Sequence, residues 1–329
     1  MYRITIDTGT TNSRVTLWED EMAIAKAFCE VGVRNTAIDG HNQQLQNSVK
    51  ELIEDVLNQK KLTVKDIATI IGSGMITSNV GLVEVPHLLA PAGVEELASG
   101  MVPKMLPNIV DKEIWFIPGI KNNVPVVSVD NCEQMDIMRG EEVETIGLIE
   151  RLRVEGPAVF VLPGSHSKFV SLNEENKMTG CLTSIAGELL SVITHNTIIA
   201  DAVNKSFATD FQKELVLKGF ENGTRVGVTR TAFSVRILSQ FTYLTDNEKA
   251  NFLLGVVLSG DIKAIKNSES LNVSQDTKVI IAGKDSMKDS FEAIVKEDGY
   301  FSEIKAVSSE DQRDLAGFGS ICIAKRRGL

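Results

Sequence analysis

Cysteine is sparse in this chain. Cys29, Cys132, Cys181 and Cys322 stand far apart and form none of the CxxC pairs of a zinc or redox centre. Thiols scattered in this way are expected to be reduced, as in a cytoplasmic protein, rather than joined in a disulfide framework. Positive charge is also short: 34 Lys and Arg stand against 44 Asp and Glu, a net charge of −10. A phosphate backbone would have to bind against that field, so nucleic acid is not an expected partner. Long apolar runs are missing as well. Asp7 interrupts the first one, and the longest later stretch, Phe252 to Leu258, falls far short of the roughly 20 residues of a bilayer span. The expectation is neither secretion nor membrane spanning. The chain contains no Walker loop (GxxxxGKS or GxxxxGKT) and no Rossmann GxGxxG, so the nucleotide folds marked by those loops are not supported.

What remains is 329 residues, 43% of them hydrophobic, enough for about two domains at roughly 100 to 200 residues each. Tyr2 to Ile6 reads as a strand, Thr8 to Asn12 as a turn, Arg14 to Trp18 as the returning strand, and Ala23 to Val31 as a third. Leu45, Val49, Leu52, Ile53, Val56 and Leu57 form the stripe of an amphipathic helix. Ile67 to Ile71 predicts a buried strand ending at Gly72. A helix around Glu95 to Met105, a strand Glu113 to Ile117 and a helix from about Glu141 to Arg153 close the first half. The second half repeats the order. Ala158 to Leu162, Lys168 to Leu172 and Met178 to Thr183 read as strands, followed by a long helical stretch and the strand Thr277 to Ile281. A helix near Ser286 to Lys296, a strand Phe301 to Val307 and a helix from about Glu310 to Ala324 complete it.

The sharpest repeat is in the hairpin turns. Gly9-Thr10-Thr11-Asn12-Ser13-Arg14 matches Gly164-Ser165-His166-Ser167-Lys168 with one residue fewer: glycine, hydroxyl, polar residue, serine, base. Glycine lets backbone N–H groups and hydroxyls approach an anion, so two facing turns would make a phosphate clamp. Asp7, just before the first turn, is placed to hold Mg²⁺, directly or through water, or to cap the turn. In Met138-Arg139-Gly140-Glu141-Glu142, Glu141 is the candidate base for an attacking hydroxyl. An acidic helix start also complements the helix dipole without any catalytic role. Arg139 fits two readings, a fork on a substrate carboxylate or an ion pair with those glutamates. Gly72 to Gly81 suits a substrate loop or a plain connection, and Ala282-Gly283 ends a strand where a flat base could approach. His41, His87 and His195 lack metal-ligand spacing; His166 alone lies inside a turn of interest.

The combination of Ile6 to Arg14, the Ser73-Gly74-Met75 loop, Trp115 to Gly119, Met138 to Glu142, Leu162 to Lys168 and Gly187-Glu188-Leu189 resembles the 2-dehydro-3-deoxygalactonokinase family, in that family's order. The resemblance is dense from residue 4 to about 189, then thins to Phe233 to Arg236, Phe252 to Ile262 and Ala282-Gly283. It implies an α/β fold of duplicated ribonuclease-H-like, actin-like ATPase domains, residues 1–150 and 151–329, with an interdomain cleft. It also implies transfer of the γ-phosphoryl of ATP to the 6-hydroxyl of 2-dehydro-3-deoxy-D-galactonate in galactonate breakdown, with Mg²⁺.

By analogy with related sugar kinases Glu141 takes the base position, with Asp136 second in line. The resemblance places Asn12, Arg14, Ser78, Asn79, Arg139, Glu142 and Glu188 toward the substrate. Gly9, Thr10, Thr11, Gly164, Ser165, His166 and Lys168 would meet phosphate, Asp7 the metal, and Ala282 and Gly283 the adenosine. The chain departs from the family pattern at Phe169, where tryptophan is usual, and at Ile185-Ala186, where Met-Thr is usual. Rival readings are a kinase of the same fold for another sugar or sugar acid, and an ATP-driven binding protein. The sequence leaves a homodimer open.

Overall fold

The structure is a computed structural model that describes residues 1–329, with the side chain of Asp285 outside the description. The first half begins with β1 (Tyr2–Thr8), β2 (Ser13–Glu19) and β3 (Met22–Cys29), joined antiparallel. The helix α1 (Val33–Asp39) leads into α2 (Gln43–Lys60), whose six predicted stripe residues are all buried. β4 (Ile67–Gly74) then lies parallel to β1, with Asp7 opposite Ser73. After β5 (Leu88–Leu89) come α3 (Val94–Gly100), β6 (Val102–Leu106), β7 (Val110–Phe116), β8 (Ile120–Lys121), β9 (Ile137–Met138) and α4 (Glu141–Leu152).

Here the structure corrects the expected helix Glu95 to Met105. It stops at Gly100, and β6 pairs antiparallel with β7 at the sheet edge. Pro103 is the physical reason: it disfavours helical geometry at Val102 and has no N–H to donate, which an edge strand tolerates. The small sheet β5-β8-β9 was also not anticipated; its two-residue strands are too short to leave a periodic signal.

The second half contains β10 (Ala158–Leu162), β11 (Ser167–Leu172) and β12 (Met178–Ser184), then α5 (Ala186–Asn196), α6 (Lys213–Val226), α7 (Val228–Phe241) and α8 (Asp246–Asn267). β13 (Lys278–Ile281), α9 (Asp285–Asp298), β14 (Ile304–Ala306) and α10 (Leu315–Arg327) follow. Its sheet order, β12-β11-β10-β13-β14, repeats β3-β2-β1-β4-β7 strand for strand. The parallel pair β10–β13 matches β1–β4. This is the duplicated ribonuclease-H-like arrangement of actin-like ATPases. The final helix starts at Leu315 rather than near Glu310, because Asp314 takes a left-handed backbone, φ 56°, immediately before it.

Between the sheets lies the pair α4 and α10. Gly147 and Gly319 allow their backbones to touch: a Cβ on Gly319 would sit 2.0 Å from the Val143 carbonyl oxygen, and one on Gly147 2.8 Å from that of Leu315. One continuous apolar core includes Ile71 of the first sheet, Phe160 and Ile280 of the second, Val143 and Ile146 of α4 and Ile321 of α10. Polar ties bind α10 to first-half elements. Lys26 Nζ lies 2.6 Å from the Asp314 carboxylate, and Arg3 Nη2 donates to the Leu329 carbonyl at 2.9 Å. The starts of α4 and α10 thereby meet at the base of a cleft between the sheets. Among the described residues, no helix is long and apolar enough to cross a membrane, and all four cysteines are free.

Candidate functional site

The first hairpin turn closes with the Gly9 N–H donating to the Asn12 carbonyl at 2.8 Å. Its outer side is held by the start of α1, where Val33 N and Arg34 N donate to the carbonyls of Gly9 and Thr10 at 3.2 and 2.9 Å. Gly9, Thr10 and Thr11 are exposed, and a Cβ on Gly9 would meet nothing nearer than 3.9 Å. On the other side of the cleft, Gly164, Ser165 and His166 are exposed, and a Cβ on Gly164 would come no closer than 3.5 Å to any atom. Packing therefore does not demand these two glycines. They leave bare backbone facing open space, as a phosphate cradle needs.

A cavity of about 880 Å³ lies between the halves. It is lined by Asp7 and Arg14 of the first hairpin, Glu141 and Glu144 of α4, Gly164 and His166 of the second turn, and Ala282, Gly283 and Lys284 after β13. The tertiary structure thus brings seven predicted residues to one place: Asp7, Arg14, Glu141, Gly164, His166, Ala282 and Gly283. A second cavity of about 500 Å³ adjoins it, sharing Gly164 and Lys284. Ser165 and Gly187 line it, with an apolar wall that includes Leu190, Phe207, Leu254 and Met287.

Electrostatically the base of the cleft is a carboxylate cluster with too few counter-ions. Burial raises the Asp7 carboxyl, offset by Arg14, whose Nη1 lies 3.5 Å from Asp7 Oδ2, and reinforced by repulsion from Glu141. Burial, with Asp7 and Glu141 adding to it, pushes Glu144 up to about 8. Glu141 accepts the Arg139 N–H at 3.1 Å and lines the cavity. Such a cluster can accept a cation or a proton, the two things phosphoryl transfer requires of acidic side chains.

Other predicted residues lie elsewhere. Glu142 is fully buried and turns back onto its own helix start, accepting the Gly140 N–H at 2.9 and 2.8 Å; burial and then Glu141 raise it to about 8. The Arg139 guanidinium donates to Thr77 Oγ1 at 2.6 Å and the Val85 carbonyl at 2.7 Å, and lies 3.3 Å from His87 Nδ1. It ties the loop after β4 to α4 and bonds directly to neither glutamate. Ser78 donates to the Met75 carbonyl at 2.7 Å within that loop, while Asn79 is exposed. Asn12 serves the first turn through its carbonyl. Asp136 accepts from Ile137 N, Thr183 N and Thr183 Oγ1, and Lys168 is buried with its ammonium on the Ile137 carbonyl and Thr183 Oγ1. These two side chains rivet β9 to the β11–β12 edge, away from the cavity lining. Glu188 Oε1 lies 2.9 Å from His166 Nε2.

Glu144 and Lys284 are cavity-lining residues that the sequence reading missed. Glu144 follows Glu141 by one helical turn, a spacing that puts both on one face. Lys284 directly follows the predicted Ala282-Gly283 pair. Either could have been found by extending the motif by one to three residues.

Among solved structures, the chain resembles a Sinorhizobium meliloti protein whose assignment as a 2-dehydro-3-deoxygalactonokinase is itself provisional. The identity is 21%, covering 98% of this chain and 96% of that one, with a TM-score of 0.76. Component A of (R)-2-hydroxyglutaryl-CoA dehydratase from Acidaminococcus fermentans is 14% identical over the full length of both chains, with a TM-score of 0.50. Both likenesses concern the fold. No curated protein matches the chain. A family model described as 2-keto-3-deoxy-galactonokinase matches residues 7–317, from the cleft aspartate into the last helix. On that match, the chain belongs to the 2-keto-3-deoxy-galactonokinase family.

Proposed function

We propose that this chain is a Mg-ATP-dependent kinase that phosphorylates the 6-hydroxyl of 2-dehydro-3-deoxy-D-galactonate, a step of galactonate catabolism. The observation that carries the reading is the cleft itself. Asp7 and Arg14, which flank the first glycine turn, and Gly164 and His166 of the second line one space together with Glu141 at the start of α4. Residues 1–150 and 151–329 act as the two domains whose closure aligns them.

The donor set fits a polyphosphate with its cation. Gly164 in the lining, and Gly9 two residues beyond the lining residue Asp7, offer backbone to phosphate oxygens, and Arg14, His166 and Lys284 bring cationic or proton-donating groups to the cavity. Asp7 is the hard oxygen ligand in reach of that cavity, suited to Mg²⁺ held directly or through water. Mg²⁺ held there would offset the charge of the phosphates. Ala282 and Gly283 line the larger cavity next to Lys284, which it shares with the smaller, partly apolar one, a junction that suits a flat nucleoside.

Glu141 receives the proton of the attacking hydroxyl. Its Oε2 is steadied by the Arg139 N–H and it lines the cavity, where a bound hydroxyl can reach it. Asp136, taken up by three donors, is a positioning residue between β9 and β12 in this reading. Arg139 shapes the sugar-acid wall by holding the Gly74 to Val85 segment, and Glu142 keeps the start of α4 fixed.

The test is release of ADP from Mg-ATP in the presence of 2-dehydro-3-deoxy-D-galactonate, of its C4 epimer 2-dehydro-3-deoxy-D-gluconate, or of no acceptor. Release that requires the galactonate-derived acid is expected. Release with neither acid present defeats the proposal in favour of an ATP-driven binding protein, and silence throughout assigns the cleft to another acceptor.

A further inference from the structure

The helix α7 is apolar on both faces. Thr231, Ala232 and Val235 are buried against its own half, as the packing of the fold requires. On the outer face Phe233, Ile237 and Phe241 are 43%, 38% and 77% exposed, Tyr243 just beyond the helix end is wholly exposed, and Ile198 beside it is 62% exposed. Ile198 is tied to this face by its carbonyl, which accepts from Arg236 Nη1 at 3.3 Å. None of these residues lines either cleft cavity. Together they expose on the order of 600 Å², taking about 200 Å² for each fully exposed aromatic side chain. A stable pair buries about 800 Å² per partner including its polar rim. A continuous patch of this size marks a contact surface.

Two features of the patch identify its occupant. The stripe Phe233, Ile237, Phe241 is palindromic, with an aromatic residue one helical turn to each side of a central aliphatic one. The charges around it are polarised. The N-terminal end carries Arg225 and Arg230, whereas the C-terminal end leads into Asp246, half exposed and paired on its own chain with Lys249 at 3.0 Å. A two-fold axis through Ile237 sets Phe233 against Phe241 of the other copy and brings the basic end of each helix toward the acidic end of the other. A surface that matches itself under a two-fold rotation is what an isologous dimer needs. We infer that α7 is the docking face for a second copy of this chain, packed antiparallel about Ile237.

The test uses the full chain and reads its mass in solution by light scattering at micromolar concentration. Twice the single-chain mass is expected. Ile237→Asp, which sets two like charges at the axis, should halve it while leaving ADP release intact. A cross-link fixes the register. Helix axes about 8–10 Å apart with Cα atoms about 2.3 Å off each axis leave the two Ile237 Cα atoms about 3.5–5.5 Å apart, within disulfide reach at the wider spacings. The two Phe233 Cα atoms would be about 12 Å apart along the helix, beyond it. In a Cys132→Ser background, which removes the exposed native thiol, oxidised Ile237→Cys should therefore run as a covalent dimer on a non-reducing gel and Phe233→Cys as a single chain. A wild-type chain of single mass, a dimer that survives Ile237→Asp, or equal cross-linking at both positions overturns the inference. In the first case α7 faces a different protein, in the other two the contact lies elsewhere.

Discussion

A Cβ on Gly187 would lie 2.3 Å from the carbonyl oxygen of Gly164 and 2.7 Å from Ser165 Cα. The start of α5 thus rests directly on the second glycine turn, and Glu188 N donates to the Ser165 carbonyl at 3.1 Å in the same contact. Gly187→Ala must push the turn or the helix away. Its expected effect is a weaker grip on nucleotide, about 10-fold or more in Kd for ADP, because cradle geometry tolerates little displacement. Titration calorimetry of the variant measures this; an unchanged Kd removes the second turn from the phosphate site.

Glu141→Gln keeps the shape and the Arg139 N–H contact but cannot accept a proton. Turnover should fall by about 10² to 10⁴, with ADP affinity within a few-fold of wild type. Asp136→Asn, by contrast, should act mainly on thermal stability. Near-normal turnover in Glu141→Gln would remove the base role from Glu141.

Removing charge at Asp7 should have opposite effects on binding and folding. The Asp7 carboxyl is raised by its burial and by Glu141, so the ligand-free chain gains from losing it. Asp7→Asn is expected to hold or raise the melting temperature while the Mg²⁺ concentration needed for half-maximal rate climbs at least several-fold. Magnesium titrations of the rate, read beside melting curves, decide it.

Arg139 acts through the loop it holds. Arg139→Ala leaves the buried Val85 carbonyl without its donor and takes one of two partners from Thr77 Oγ1, a loss of about 2–3 kcal/mol. Lysine should rescue it poorly, since a single ammonium cannot span the same fork. The spectroscopic reporter is His87, held down at about 4 first by burial and then by Arg139. Its proton resonances should titrate at higher pH in Arg139→Ala, and a static His87 would contradict the contact.

Glu142 supplies a pH signature in the ligand-free chain. Burial, with Glu141 adding to it, raises it from 4.5 to about 8. Between those values the folded chain keeps a proton that the unfolded chain has released. Stability from this group is therefore present at acid pH and lost as pH rises through that window. Glu142→Gln should flatten the fall in urea midpoint between about pH 5 and pH 8. Parallel curves for variant and wild type would show that Glu142 is already ionised.

Much of this architecture was legible in the residues. The strand-turn-strand pattern at Tyr2 to Trp18 returns at Ala158 to Leu172 because β-branched alternation and glycine turns are local signals. The stripe from Leu45 to Leu57 announced α2 for the same reason. Where the reading slipped, at Val102 to Leu106, Pro103 outweighed the helical pattern and an available strand edge captured the chain.

The sequence by itself determined the repeat, the two glycine turns and the acidic start of α4, since each depends on neighbours within a few residues. Only the tertiary structure decided which side chains share the cleft. Lys168 and Arg14 hold equivalent places in the two turns, yet Arg14 faces the cavity and Lys168 is buried against Ile137 and Thr183. Glu141 and Glu142 are adjacent, yet one lines the cleft and the other is sealed. Successive helical residues point about 100° apart. Which direction meets solvent depends on where α10 crosses α4, a contact between residues about 170 positions apart in the chain.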